Sequence, residues 1–334
     1  MIPLIQTPWE SDVWQRELAG AYRTPGALCE YLGLSDTLAL EPAQVGEFSM
    51  LVPRGFAARM VQGDAQDPLL RQVLPSLQEH ETVDTFVSDP LQEVGQFSKA
   101  PGVIHKYSGR ALLIVTAGCA VHCRYCFRRH FPYADHRPRE IERALTYIQQ
   151  DRSITEVILS GGDPLLLSDD AFAALTRNIA AIDHVRRLRV HTRLPIVLPE
   201  RITAALLATF ESTRLQTVLV AHANHVNELD QNTRRAFGCL KASGVTLLNQ
   251  SVLLAGVNNR ANTQIALCEQ LFAQGVLPYY LHMPDRVAGT HQFYVSRTQA
   301  TAIYRAMQAT LPGYLLPRLV QEVPGEAAKQ LVHF

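Results

Sequence analysis

The sequence has no excess of either charge: 31 lysines and arginines balance 31 aspartates and glutamates across 334 residues. No global field therefore favours nucleic acid or a membrane surface, and no basic appendage for nucleic acid is evident. There is no uninterrupted apolar run of membrane-spanning length. The opening residues Met1 to Asp12 lack both the basic start and the apolar stretch of a secretory signal. No nucleic-acid partner, no membrane association and a cytoplasmic location are expected. Cysteine is scarce, six in all, which suits a reducing compartment and argues against a disulfide framework. Three of the six fall in one run, and that run has no fourth member.

The run is Cys119-Ala-Val-His-Cys123-Arg-Tyr-Cys126, spaced C-x3-C-x2-C, directly after the apolar stretch that begins at Ala111. A structural tetrahedral metal site needs four protein ligands, and a closed cubane iron-sulfur cluster takes four cysteines. Three thiolates leave one coordination position open, where a substrate or cofactor could bind. The run is similar to the signature of the radical S-adenosylmethionine (SAM) enzymes. A Cys3His zinc site completed by His122 or His130 is also compatible with the spacing. Three unrelated buried thiols fit poorly with a segment crowded by His122, Arg124, Arg128, Arg129 and His130. Cys29, Cys239 and Cys268 are scattered and read as small core residues or free thiols.

With 47% hydrophobic residues, the chain can bury one large core plus an appendage. Residues 1–100 read as a helical N-terminal cap, with amphipathic helices at Ser11 to Tyr22 and Ala65 to Gln78 between proline-containing loops. From Arg110 onward, short branched apolar runs alternate with helical patterns. Strands are expected at Ala111 to Thr116, Glu156 to Leu159, Arg187 to Thr192, Thr217 to Ala221, Thr246 to Ser251 and Val276 to Leu281. Helices are expected near Arg139 to Gln150, Asp169 to Ala181, Thr203 to Ser212, Asn227 to Ser243, Thr263 to Gln274 and Ser296 to Leu311. Parallel crossovers need helix-length connections. The expected fold is therefore α/β, a partial (β/α)6 parallel barrel over residues 101–334 with a helical N-terminal extension.

Ligands in such folds gather at the carboxyl ends of the strands, and polar residues are dense there. The ends carry the cysteine run, then Ser160-Gly161-Gly162-Asp163, His191-Thr192-Arg193, His222-Ala-Asn224-His225, Asn249-Gln250-Ser251, and His282 to Arg286. Ser160 to Asp163 suits a plain turn as well as a backbone cradle, since two glycines let a ligand approach closely. His222 and His225 suit ordinary loop histidines better than a second metal site. Arg193 could cap a carbonyl or bind a carboxylate.

From about Ile104 to Lys329 the chain closely resembles the lysine 2,3-aminomutases. The resemblance is carried by His105-Lys106-Tyr107-Ser-Gly-Arg110, the cysteine run continuing through Arg128 and Arg129, Leu159 to Asp163, His222 to His225, Asn249 to Leu254, and Pro278-Tyr-Tyr280 before Asp285. It implies an isomerase that uses a [4Fe-4S] cluster on Cys119, Cys123 and Cys126, with SAM on the open iron near Ser160, Gly161, Gly162, Asp163 and His222. It also implies a second cofactor, pyridoxal 5'-phosphate (PLP), held covalently by Lys329 with Lys106, Tyr107, Arg110 and Gln250 around it. The implied reaction converts L-α-lysine to (R)-β-lysine. SAM supplies the radical that takes hydrogen from C3, chemistry beyond any side-chain base, while PLP carries the nitrogen. The resemblance assigns Arg128 to the substrate carboxylate and Asp285 and Glu322 to its ε-ammonium, a charge pairing that opposes glutamate as substrate. A reducing electron donor is implied, as is a link to elongation factor P and its lysine ligase. The competing readings are an aminomutase for another amino acid and a non-enzymatic iron-sulfur or zinc protein.

Overall fold

The computed structural model describes residues 7–34, 48–95, 97–133, 141–326 and 328–332. Ten strands form one sheet in sequence order: β1 (Ser98–Ala100), β2 (Val103–Tyr107), β3 (Arg110–Thr116), β4 (Glu156–Gly161), β5 (Arg187–Thr192), β6 (Gln216–Ala221), β7 (Thr246–Val252), β8 (Leu277–His282), β9 (Arg318–Gln321) and β10 (Gln330–Leu331). Neighbours from β3 to β9 run parallel. β1 and β2 add an antiparallel margin at one edge, and β10 does so at the other. The helices in chain order are α1 (Val13–Ala19), α2 (Pro25–Tyr31), α3 (Arg54–Ala57), α4 (Pro68–Arg71), α5 (Ile141–Gln150), α6 (Asp169–Ala180), α7 (Leu194–Val197), α8 (Ala204–Ser212), α9 (Gln231–Ala242), α10 (Ala261–Ala273) and α11 (Arg297–Thr310).

The six expected strand-helix units are present, and the parallel sheet has one strand more. β9 was not anticipated: Arg318-Leu-Val-Gln offers only two apolar residues between polar ones, a weak period-2 signal. It pairs with β8 and, through β10, turns the chain so that Lys329 faces Glu322. Gly325 takes φ +84° in that turn, a left-handed conformation that suits glycine.

Alternation along the strands creates two faces. Leu113, Val157, Leu159, Leu188, Val190, Leu219 and Leu247 are buried together with helix residues such as Ala144, Ile148, Phe172, Ile179, Leu206 and Phe237. The same core includes Trp14, Leu28, Phe56 and Leu69 from the N-terminal part. The opposite face carries Arg110, Glu156, Ser160, Arg189, His191 and Gln250, and this polar lumen is where the candidate site lies.

Several boundaries moved for local reasons. Ala65 to Gln78 is not one helix. Asp67 caps the amides of Leu69 and Leu70, Pro68 starts the single-turn α4, and Pro75 intervenes before a separate turn at Leu77–His80. The helix expected at Ser11 to Tyr22 ends at Ala19, because Tyr22 pairs its backbone with Val52 instead. α9 starts four residues late: Asp230 caps Thr233, while Glu228 folds back onto the amides of Asn224 and His225. Arg139, the expected start of α5, lies outside the described residues.

Candidate active site at the carboxyl ends of the strands

The cysteine loop leaves β3 at Thr116 and is anchored mainly by arginines. Buried Arg124 pairs with Glu79 and donates to the Phe48 carbonyl at 2.8 Å. Arg129 donates to Glu79 at 2.7 Å and to the Gly289 carbonyl at 2.9 Å. Arg193, at the end of β5, donates to Cys123 Sγ at 2.7 Å and to Glu228 at 3.0 Å. Burial pushes the Cys119 thiol well up, and burial with Cys123 nearby pushes Cys126 to about 11. Such thiols stay protonated until a metal displaces the protons.

The donor set fits a cluster better than zinc. Among the described residues, no three His, Cys, Asp or Glu side chains converge as ligands of a single ion. The two histidines that would complete a zinc site are engaged elsewhere: His122 Nδ1 lies 3.0 Å from the Ser49 carbonyl, and His130 Nε2 lies 3.1 Å from the Ala288 carbonyl.

Ser160 to Asp163 is drawn tightly against this loop. A Cβ on Gly161 would lie 2.6 Å from the Thr116 oxygen, and one on Gly162 would lie 2.0 Å from the Gly118 oxygen. The missing side chains thus serve chain-to-chain approach. The Gly162 amide donates to Thr116 and the Asp163 amide to Gly118, both at 2.7 Å. Buried Asp163 accepts from Thr192 Oγ1 at 2.6 Å and from the Arg193 amide at 2.7 Å. It is therefore the tie between β4, β5 and the arginine that touches Cys123. His222 is half-buried, its ring 5.8 Å from Tyr125, and desolvation lowers its imidazole to about 4. Asn224 joins the same network by donating to Tyr125 at 2.7 Å and to Gln72 at 3.1 Å.

Further along the lumen, charged groups gather around the C-terminal hairpin. Glu322 is gripped by Lys329, by Lys106 at 2.9 Å and by the Tyr107 hydroxyl at 2.6 Å. Lys329 and these donors outweigh burial and hold its carboxyl down at about 2. Arg110 stacks over Tyr107 at 4.7 Å, and Lys329 lies 5.9 Å from the Tyr280 ring centre. Gln250 on β7 pairs in register with Tyr280. Asp285 is half-buried, and desolvation together with the charge of Glu322 pushes it up to about 7.

Arg128 stands between the two groups. Glu93 takes its Nε and Nη2 at 2.7 and 2.8 Å, and the Ser160 hydroxyl accepts from Nη1 at 3.0 Å. A guanidinium gripped along its Nε side keeps one N–H on each terminal nitrogen, a second edge able to take a carboxylate.

Residues 113–217 match the Radical SAM superfamily. The chain is 46% identical to the L-lysine 2,3-aminomutase of Escherichia coli K12, covering 98% of this chain and 96% of that one. It is 44% identical to that of Haemophilus influenzae, covering 96% of each. The chain belongs to the L-lysine 2,3-aminomutase family. A longer aminomutase, from Clostridium subterminale, is 32% identical over 95% of this chain and 76% of its own length.

The aminomutase family uses a [4Fe-4S] cluster, SAM and PLP, and the residues present fit all three. Clustered thiols without a competing histidine suit the cluster. Arg110, Lys106 and Tyr107 beside Lys329 suit an anionic cofactor joined to a lysine. Sequence reasoning missed Glu93, Gln72, Tyr125 and Glu228, which hold Arg128, Arg193 and Asn224 around the cysteine loop. Pairing of Glu93 and Glu228 with the arginines, and the neutral hydrogen bonds of Gln72 and Tyr125, span sequence distances that leave no local pattern.

Proposed function

We propose that this protein is an L-lysine 2,3-aminomutase converting L-α-lysine to (R)-β-lysine. The observation that carries the reading is the ordering of charge along one lumen. Arg128, with an open guanidinium edge, lies on the cysteine-loop side, while Lys329 with Glu322 and Asp285 lies on the other. A bound lysine, once its α-amine is engaged by the cofactor, carries one carboxylate and one distant ammonium, and this lumen has a countercharge for each.

Cys119, Cys123 and Cys126 hold the cluster. The backbone of Ser160 to Asp163, with His222, borders the SAM position. Lys329 holds PLP, with Lys106, Tyr107, Arg110 and Gln250 around it. When bound, SAM and PLP supply a hydrogen-abstracting radical and a carrier for the migrating nitrogen. The chain's own residues bind, orient and shield. Arg128 takes the substrate carboxylate, and Asp285 and Glu322 take the ε-ammonium. A Lys329 nitrogen committed to the cofactor would release Glu322 Oε1, while Lys106 and Tyr107 keep its Oε2. The first hundred residues act as a cap that delivers Gln72, Glu79 and Glu93 to the barrel.

Among the described residues no helix is long and apolar enough to cross a membrane. A cytoplasmic location and an external reducing donor fit a thiolate-bound cluster. Use of the product on elongation factor P through a lysine ligase rests on the resemblance to short members of the family. Glutamate as substrate is disfavoured because two acids would face its side chain. Borohydride reduction of the PLP-loaded protein followed by peptide mapping tests the cofactor assignment: the label is expected on Lys329, and a label on another lysine would overturn it.

A further inference from the structure

The lumen holds a polar group that the proposed reaction leaves unused. His191 lies on β5, two residues beyond Arg189, and its register partner on β6 is Val220. Its Nε2 is shielded from solvent and has no hydrogen-bond partner among the described residues. An unmade hydrogen bond at such an atom carries a desolvation cost that a ligand would remove.

Register says which ligand. Leu159 of β4 pairs with Val190 of β5, so the next residues, Ser160 and His191, are neighbours across strands about 4.8 Å apart. Both point into the lumen, on the face where Arg189 bridges to Glu156 at 2.7 Å. Ser160 is the residue that holds Arg128 Nη1. Arg110, the cation next to the lysine hairpin, pairs at the level of Glu156 and Arg187. That level is four residues below His191, roughly 13 Å along the strand. His191 therefore stands level with Ser160 and its partner Arg128, above Arg110, with Lys329 also near it.

The charges around it agree. Burial, with Arg189, Lys329, Arg128 and His282 nearby, favours a neutral ring able to donate one N–H. Arg189 is paired with Glu156, Lys329 with Glu322 and Arg128 with Glu93, and Arg128 still keeps one N–H on each terminal nitrogen for a further anion. We infer that His191 is a second ligand for the substrate's carboxylate, donating from Nε2 to an anion seated on the open edge of Arg128. The inference rests on the proposed lysine reading and makes His191 a specificity residue for α-carboxylated amines.

The test measures binding without turnover, on PLP-loaded, cluster-containing protein lacking SAM and reductant. Calorimetry compares L-lysine with cadaverine, its decarboxylated counterpart, in wild type, His191→Ala and His191→Gln. The expected result is lysine affinity about ten- to a hundredfold weaker in His191→Ala, cadaverine affinity unchanged, and partial recovery in His191→Gln. Equal losses for both ligands would overturn the inference, as would lost PLP retention with lysine affinity intact. A wild type that binds lysine and cadaverine equally would refute the substrate reading itself, and this inference with it.

Discussion

Asp285 is the residue where structure and proposed function pull against each other. Its carboxyl is desolvated beside Glu322, which raises it from an ordinary 3.8 to about 7. In the unfolded chain the group ionises near 3.8, so between that pH and about 7 the folded state binds the extra proton and stability falls as pH rises. At roughly 1.4 kcal/mol per tenfold change, the full difference is a little over 4 kcal/mol. Relaxation around the ionised group brings the expectation to on the order of 2 kcal/mol. Asp285→Asn removes the titration. Unfolding of the cofactor-free, reduced protein should then shift upward by about 3 °C at pH 8, by roughly a third of that at pH 5, and hardly at all below pH 3.8. The same substitution should weaken lysine binding to the PLP-loaded protein by about ten- to a hundredfold, because the ε-ammonium loses a charged partner. A stability gain equal at both pH values, or a variant more stable at pH 8 that binds lysine as tightly as wild type, would refute the reasoning.

Other consequences follow from single contacts. Glu93→Ala leaves buried Arg128 without its bidentate partner, a loss of about 3–5 kcal/mol in stability; KM for lysine should rise at least about tenfold, with Glu93→Gln intermediate in steady-state kinetics. Replacing any one of Cys119, Cys123 and Cys126 by alanine should abolish the SAM-responsive paramagnetic signal while leaving PLP incorporation intact by absorbance. Lys329→Ala should do the reverse, keeping iron and sulfide content and losing the reducible PLP label. Glu322, held at about 2 by Lys329 with Lys106 and Tyr107, contributes stability that is full above pH 4.5 and is lost as pH falls toward 2. Glu322→Gln should therefore lower the melting temperature at pH 6 and have little effect at pH 2.5.

What could be read from sequence was what is written locally. The cysteine spacing and the six branched apolar runs are short-range patterns, and the strand Arg187–Thr192 was placed to the residue. β9 escaped because two apolar residues cannot announce a strand whose partner, β8, lies some forty positions earlier. The Ala65 to Gln78 region carries a helical spacing that Asp67, Pro68 and Pro75 override by capping and breaking. Arg128 was named only through the family resemblance, and Glu93 had no signal at all, since a carboxylate in a turn becomes meaningful only when folding sets it on a guanidinium. Gly161 and Gly162 show the opposite limit: their small size was evident, yet only the fold reveals that the space they leave is filled by the backbone at Thr116 and Gly118. Lys329, a residue near the chain end with no local signal of its own, owes its place to the β9–β10 hairpin that sets it on Glu322.

The central claim is most directly tested by anaerobic turnover of free L-lysine with the cluster-reconstituted, PLP-loaded protein, SAM and a reductant, with the product resolved by chiral chromatography. The account predicts β-lysine of R configuration, formed only when SAM and reductant are both present. A protein whose cluster is intact and responds to SAM, yet forms no β-lysine, would contradict it.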